Sequence, residues 1–166
     1  MSTYEWSHFT QRINVNAPKE KLYDAFSTRA GMESWFLRTC EYKHLNGSPL
    51  MDDEQIHPRD IYSWMWHGWP DTMVETGEFL QANGKDKLQF VFGEAGTVTV
   101  KIYDAENENI VELTQKDIPP DEESKFKFHL GCSTGWVFYL ANSKSIIEGG
   151  IDLRNKSANL VGVLNS

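Results

Sequence analysis

The chain has 166 residues, 24 acidic against 16 basic for a net charge of −8, and 13% aromatic residues: six Trp, six Tyr and nine Phe. One domain of this size buries roughly 70% of its unfolded surface, and an acidic chain without a basic stripe argues against a nucleic-acid or anionic-membrane partner. No apolar run approaches the ~20 residues that span a bilayer, and the N-terminus has no basic region followed by an apolar core, so the expectation is a soluble, cytoplasmic protein without membrane insertion.

Phe9, Gln11, Ile13 and Val15 alternate with Thr10, Arg12 and Asn14, the two-residue period of a half-buried strand. Asn16 is a candidate N-cap, with Pro18 near the first turn of a helix carrying Leu22, Tyr23, Ala25 and Phe26. That helix should end near Ser27–Arg29. A second short helix, Ala30 to Trp35, presents Met32, Trp35 and Phe36. Arg38 to Lys43 reads as a strand, and residues 44–60, with Gly, two Pro and the acidic run Asp52-Asp53-Glu54, read as an exposed loop.

In the stretch IYSWMWHGW, Tyr62, Trp64 and Trp66 share one strand face while Ser63, Met65 and His67 take the other. Strands at Val74–Ala82, Lys87–Phe92, Thr97–Asp104 and Asn109–Gln115 follow. They are joined at Asn83-Gly84, a strong hairpin signal, at Gly93–Gly96 and at Asp104–Glu108. Phe79, Leu88, Phe90, Phe92, Val98, Val100, Ile102, Val111 and Leu113 form the apolar face, and the alternate positions are mostly polar and face water. Gln115 shares the parity of Val111 and Leu113, so its amide should point inwards and need a partner from the protein, water or a ligand.

Pro119-Pro120 ends the sheet, and Asp121–Ser124 lead into a long helix from about residue 126 that Gly149-Gly150 stop. Leu130, Val137, Leu140, Ala141 and Ile147 are expected on its covered stripe, with Trp136 and Ile146 on the flanks. Gly131 and Gly135 each weaken the helix by about 1 kcal/mol relative to Ala, or allow close approach to the sheet beneath.

Catalytic signatures are absent: there is no G-x-S-x-G, H-E-x-x-H, P-loop or G-x-G-x-x-G. The histidines (His8, His44, His57, His67, His129) are scattered, and a metal site needs at least three convergent ligands; neither a metal nor a cofactor is expected. Asp52, Asp53 and Glu54 read as a solvated loop, Glu122-Glu123 as favourable charge at a helix start, and Asp24 and Glu33 as facing solvent or a basic neighbour. Cys40 and Cys132 lack CxxC spacing and read as reduced packing residues.

Four segments carry a resemblance: INVNAPKEKLYDAFSTRAGMESWF, GEFLQANGKDKLQFVF, VELTQ and GWVFYLANSKSIIEGGIDLR. In this order they resemble the C-terminal-domain-like family of the heat-shock protein 90 ATPase activators, within the START-like (SRPBCC) superfamily. The likeness runs from about Phe9 to Arg154; Ser143 departs from it, standing where a Leu often precedes the Lys. The resemblance implies an α+β helix-grip fold. A curved antiparallel sheet of about six or seven strands wraps around a long C-terminal helix, with two short helices after the first strand. Residues 1–166 are then one domain, with a core of about 9–154 and a short flexible tail at 155–166.

Such an architecture encloses space, which an aromatic core fills or a ligand occupies. The residues expected to line a cavity are Tyr62, Trp64, Trp66, Phe79, Phe90, Phe92, Gln115, Trp136, Tyr139 and Leu140, and no catalytic residue is assigned. The leading functional expectation is non-enzymatic binding of a small apolar or amphipathic ligand between helix and sheet. A chaperone-associated or stress-response interaction module is the alternative that the resemblance implies. A cyclase- or hydrolase-like enzyme is a third.

Overall fold

The computed structural model describes residues 4–160 and 162–163. The elements, in order, are β1 (Phe9–Asn14), α1 (Lys19–Ser27), α2 (Arg29–Trp35), β2 (Thr39–Lys43), β3 (Ile61–Met65), β4 (Glu75–Ala82), β5 (Lys87–Val91), a 3₁₀ turn (Gly93–Ala95), β6 (Thr97–Ala105) and β7 (Glu108–Lys116). The C-terminal helix then runs through three segments: α3 (Glu122–Ser124), a π-helical stretch (Lys125–Leu130) and α4 (Gly131–Ile147). All seven strands form one antiparallel sheet in the order β1-β7-β6-β5-β4-β3-β2. A curved sheet gripping a long C-terminal helix, with two short helices after β1, is the helix-grip fold. Among the described residues no helix is long and apolar enough to cross a membrane.

Strand parity transfers directly from sequence to structure. Leu88, Phe90, Val98, Val100, Ile102, Val111 and Leu113 are all buried on the concave face, and Thr99, Thr114, Arg12 and Glu112 pair on the outer one, where Arg12 Nε meets Glu112 Oε2 at 2.7 Å. Cys40 is a buried free thiol and Cys132 a partly buried one.

Several local expectations are corrected. Asn16 does not cap α1: Pro18 precedes the helix without a side-chain cap, and the Asn16 backbone N–H instead donates to Glu148 Oε1 at 2.8 Å. The side chain that caps is Thr28, whose Oγ1 accepts from Gly31 N at 3.0 Å to start α2. Asn83-Gly84 lies in a wider turn, where Asn83 Oδ1 gathers the N–H groups of Lys85, Asp86 and Lys87. The two-residue turn with both positions left-handed falls at Glu106-Asn107 (φ 52° and 64°). Segment 44–60 is not simply an exposed loop, because Leu50, Ile56 and Asp60 are buried against the sheet.

The largest correction concerns the C-terminal helix. Leu130, Val137 and Ala141 face solvent, Val137 being 53% exposed, while His129, Trp136, Leu140, Asn142 and Ser143 are buried. The helix is apolar around most of its circumference, so hydrophobic periodicity does not single out a face. Buried polar contacts set its rotation instead. Asn142 Nδ2 donates to the Trp35 carbonyl at 2.7 Å, and its Oδ1 accepts from Leu153 N at 2.7 Å. Ser143 Oγ donates to the Leu140 carbonyl at 2.7 Å, so the serine that departs from the family pattern is satisfied within the helix.

Gly149, at φ 87°, takes the left-handed position that ends the helix two residues after Ile147. The chain then returns to α2, where the 7%-exposed Arg154 is clamped. Its guanidinium pairs with Asp152 at 2.7 Å and donates to the carbonyls of Glu33, Ser34 and Leu37. Burial alone would raise the Asp152 carboxyl, but hydrogen bonds from Arg154 and Lys156 outweigh it and hold the group far below the usual range. Residues 155–160 and 162–163 form no helix or strand, and the remainder of the expected tail lies outside the described residues.

Candidate functional site

A cavity of about 450 Å³ opens between the start of α4, the end of the sheet near β4 and β5, and the segment joining β3 to β4. Its aromatic walls come from four elements. Trp66 follows the last residue of β3, Phe92 follows β5, Phe36 caps α2, and Trp136 and Tyr139 descend from α4. Phe36 is the hub of this set. It stacks on Trp136 at 5.0 Å and takes Tyr139 and Trp66 edge-on at 4.8 and 5.6 Å. Trp69, Met73 and Val74, each about half exposed, form an apolar rim.

Helical glycines keep the cavity open. A Cβ at Gly135 would meet nothing within 4 Å, and one at Gly131 only the Phe126 carbonyl at 3.7 Å. Close approach to the sheet is therefore not their role; both sit on the cavity wall and leave space. The π-helical turn before them, whose wider ring has Gly131 N donating to Phe126 O, places Lys127 and Phe128 on the same wall. His129 anchors that turn: its Nδ1 donates to the Trp6 carbonyl and its Nε2 meets the Tyr4 hydroxyl, both at 2.9 Å.

Of the ten residues expected to line a cavity, the structure brings four to it: Trp66, Phe92, Trp136 and Tyr139. Tyr62, Trp64, Phe79, Phe90, Gln115 and Leu140 lie in the packed interior instead. Their side chains interlock where sheet and helix approach closely; Tyr62 stacks on Trp64 at 3.8 Å, and Trp64 takes Phe90 edge-on at 5.1 Å. Tyr62 also backs a second, more polar depression on the outer face of β3 and β4, where Gly77 makes room for its ring. Gln115 is fully buried with protein partners, accepting from Trp136 Nε1 at 3.0 Å and donating to the Ala95 carbonyl at 2.9 Å.

The polar group that sequence reasoning missed is Glu75. It opens β4 directly opposite Trp64, so its carboxyl points to the concave face in phase with Gly77 and Phe79. Parity with Phe79 was the available signal. Among the described residues none donates a hydrogen bond to the carboxyl; it lies against the Gly93 backbone, where an added Cβ would come within 2.5 Å of Oε1. Burial, and then the neighbouring Glu94 carboxylate, push the Glu75 carboxyl up. Burial likewise pushes the Tyr139 phenol up to about 12 and raises the Cys132 thiol, so neither is an anion at neutral pH.

The histidines are less scattered than the sequence suggests. Ligand atoms of His44, His57 and Asp60 lie within 4.8 Å of one another and could hold a cation. Both His44 nitrogens already have partners, however: Nδ1 meets Asp60 at 2.9 Å and Nε2 meets Glu54 at 3.2 Å. The hydrogen bond that Nδ1 donates to Asp60, ahead of an opposing desolvation, raises the His44 pKa. His44, bridging Asp60 and Glu54, ties segment 44–60 together.

No family model and no curated protein sequence matches the chain. Solved structures do. A protein from Staphylococcus saprophyticus superposes with a TM-score of 0.67 at 17% identity, covering 89% of this chain and 96% of that one. The Aha1 dimer from Colwellia psychrerythraea gives 0.64 at 15% identity, covering 86% and 97%. A Mesorhizobium loti protein gives 0.65 at 14% identity, covering 85% and 96%. At these identities the likeness shows the shared fold, the START-like one that the sequence resemblance implied.

Proposed function

We propose that the protein binds a small apolar or amphipathic molecule, without chemical conversion, in the cavity beneath the C-terminal helix. The observation that carries this reading is an open, aromatic-walled space of about 450 Å³ whose wall includes two helical glycines, one of which, Gly135, faces open space. Ligand sites of about 300–1,000 Å³ with mostly apolar walls and few polar groups are typical of small-molecule binding. Cys132 and Tyr139, held neutral by burial, suit a binding site more than a nucleophilic one.

Titration with 1-octanol, followed through tryptophan fluorescence, tests it, because Trp66, Trp69 and Trp136 line the space. Saturable quenching or a blue shift that Gly135→Phe abolishes is the expected result. Linear, unsaturable change, identical in the variant, counts against a site.

A second reading is an interaction module acting on a chaperone, in keeping with the fold shared with the Colwellia Aha1 protein. Its support is the outer stripe of the C-terminal helix, where Phe126, Leu130 and Val137 are 75%, 45% and 53% exposed. Stimulation of a chaperone ATPase that is lost in Phe126→Ser/Val137→Ser is expected on this reading; no stimulation by the unmodified protein would sink it.

A further inference from the structure

Resting on the cavity reading above, we infer that the ligand carries a positively charged nitrogen, and that Glu75, with Glu94 beside it and the indole faces of Trp66 and Trp136 around it, forms the subsite for that charge.

Three observations converge on this. First, Glu75 is an inward-facing residue. Its register partner Trp64 is fully buried, and the next residues in phase are Gly77 and Phe79. An acid at this place in an otherwise apolar row gives up packing and carries a desolvation cost that a paired charge offsets. Second, no such pair exists among the described residues. No described residue donates to the Glu75 carboxyl, and its charged neighbour is a second carboxylate, Glu94, on the same cavity wall. Lys127, the cation on that wall, lies 5.0 Å from the centroid of the Phe128 ring and forms no ion pair with either acid.

Third, the remaining walls suit a cation. Trp66, Trp69, Phe92 and Trp136 border the same space, and aromatic faces attract ammonium and quaternary ammonium groups through their quadrupoles. Two carboxylates and several π faces about an apolar hole match an alkyl- or arylamine: the hydrophobic body occupies the space beneath Gly135 and the nitrogen meets Glu75. An anionic amphiphile meets repulsion from the same acids, and a neutral alcohol has no counter-charge to offer them.

Four probes with one apolar body separate these cases: octylammonium, octyltrimethylammonium, 1-octanol and octanoate, each titrated calorimetrically into the full chain at neutral pH. The two cations are expected to bind about tenfold more tightly than 1-octanol, in the range of one charge-assisted contact, and octanoate most weakly. Glu75→Gln preserves shape and is expected to bring the cation-to-alcohol ratio close to one; Glu94→Gln should reduce the ratio less. Circular dichroism and the melting midpoint establish that each variant is folded. Saturable binding of 1-octanol with no cation preference, or a preference that survives Glu75→Gln in the folded variant, overturns the inference and leaves the cavity reading standing. If none of the four probes binds, both fall.

Discussion

The indole N–H of Trp136 donates to the Gln115 side-chain oxygen across 3.0 Å, and the same amide donates onward to the Ala95 carbonyl across 2.9 Å. One amide thus ties the helix wall of the cavity to the 3₁₀ turn on the opposite rim. Replacing it removes both links at once. Gln115→Leu keeps the volume but leaves a buried N–H and a buried carbonyl unpaired, at about 1–3 kcal/mol for each group left unsatisfied. Urea unfolding should register a loss within that range or up to twice it, and a wild-type midpoint would mean that the bracket is dispensable.

Filling the cavity from the helix side should separate stability from binding. A methyl at Gly135 meets open space, so Gly135→Ala is expected to stabilise the protein by about 0.8–1 kcal/mol through helix propensity. Gly135→Phe projects a ring into the same space and is expected to block probe binding while the protein stays folded. Destabilisation by the alanine, measured by thermal melting, would contradict an open site at this position.

How much of this was legible in the sequence depends on whether one periodicity decided the matter. Along β5, β6 and β7 the two-residue period has a single solution, so the inward set was readable. The C-terminal helix offered apolar residues on nearly every side, and its orientation came from Asn142, a polar residue whose partner Trp35 is 107 positions away. The same applies to the cavity. Aromatic parity identifies Tyr62, Trp64 and Trp66 as one row, but only packing tells that the first two interlock in the interior and the third borders the cavity. Glu75 was hidden by its charge, since an acid near a strand start reads as solvent-facing until its register is known.

The clamp at residue 154 should be expensive to break. Arg154→Ala removes one of the two cationic partners of Asp152, leaving Lys156, together with three carbonyl contacts, and each buried carbonyl left unpaired costs about 1–3 kcal/mol. Arg154→Lys is expected to recover little, because an ammonium cannot reproduce the planar fork that reaches two sides at once. Chemical denaturation of both variants checks this; full recovery by lysine would show that charge alone suffices.

Segment 44–60 should respond to pH through His44. Its folded pKa lies above the unfolded value of about 6.5 because Asp60 and Glu54 favour the imidazolium. The stabilisation is therefore fully present below about pH 6.5 and is lost as pH rises through the folded value. Hydrogen exchange at the Ile56 amide, which bonds to the Ser27 carbonyl at 3.0 Å, should accelerate across that window beyond its intrinsic rate. His44→Asn should remove the excess; an unchanged profile in that variant would sink the assignment.

The sheet order sets when, during synthesis, any of this can exist. β1 pairs only with β7, so Thr10 meets Thr114 across 104 positions of sequence. The turn of chain that locks α2 is not available until residue 154 has left the ribosome. Pairings so distant must pay loop-closure entropy before they return any contact energy. The nascent chain consequently carries its aromatic row uncovered for most of its translation, and the cavity closes as one of the last acts of folding. A stalled chain ending near residue 120 is expected to expose Trp64 and Trp66 together, making it a better client for a holdase than the finished protein.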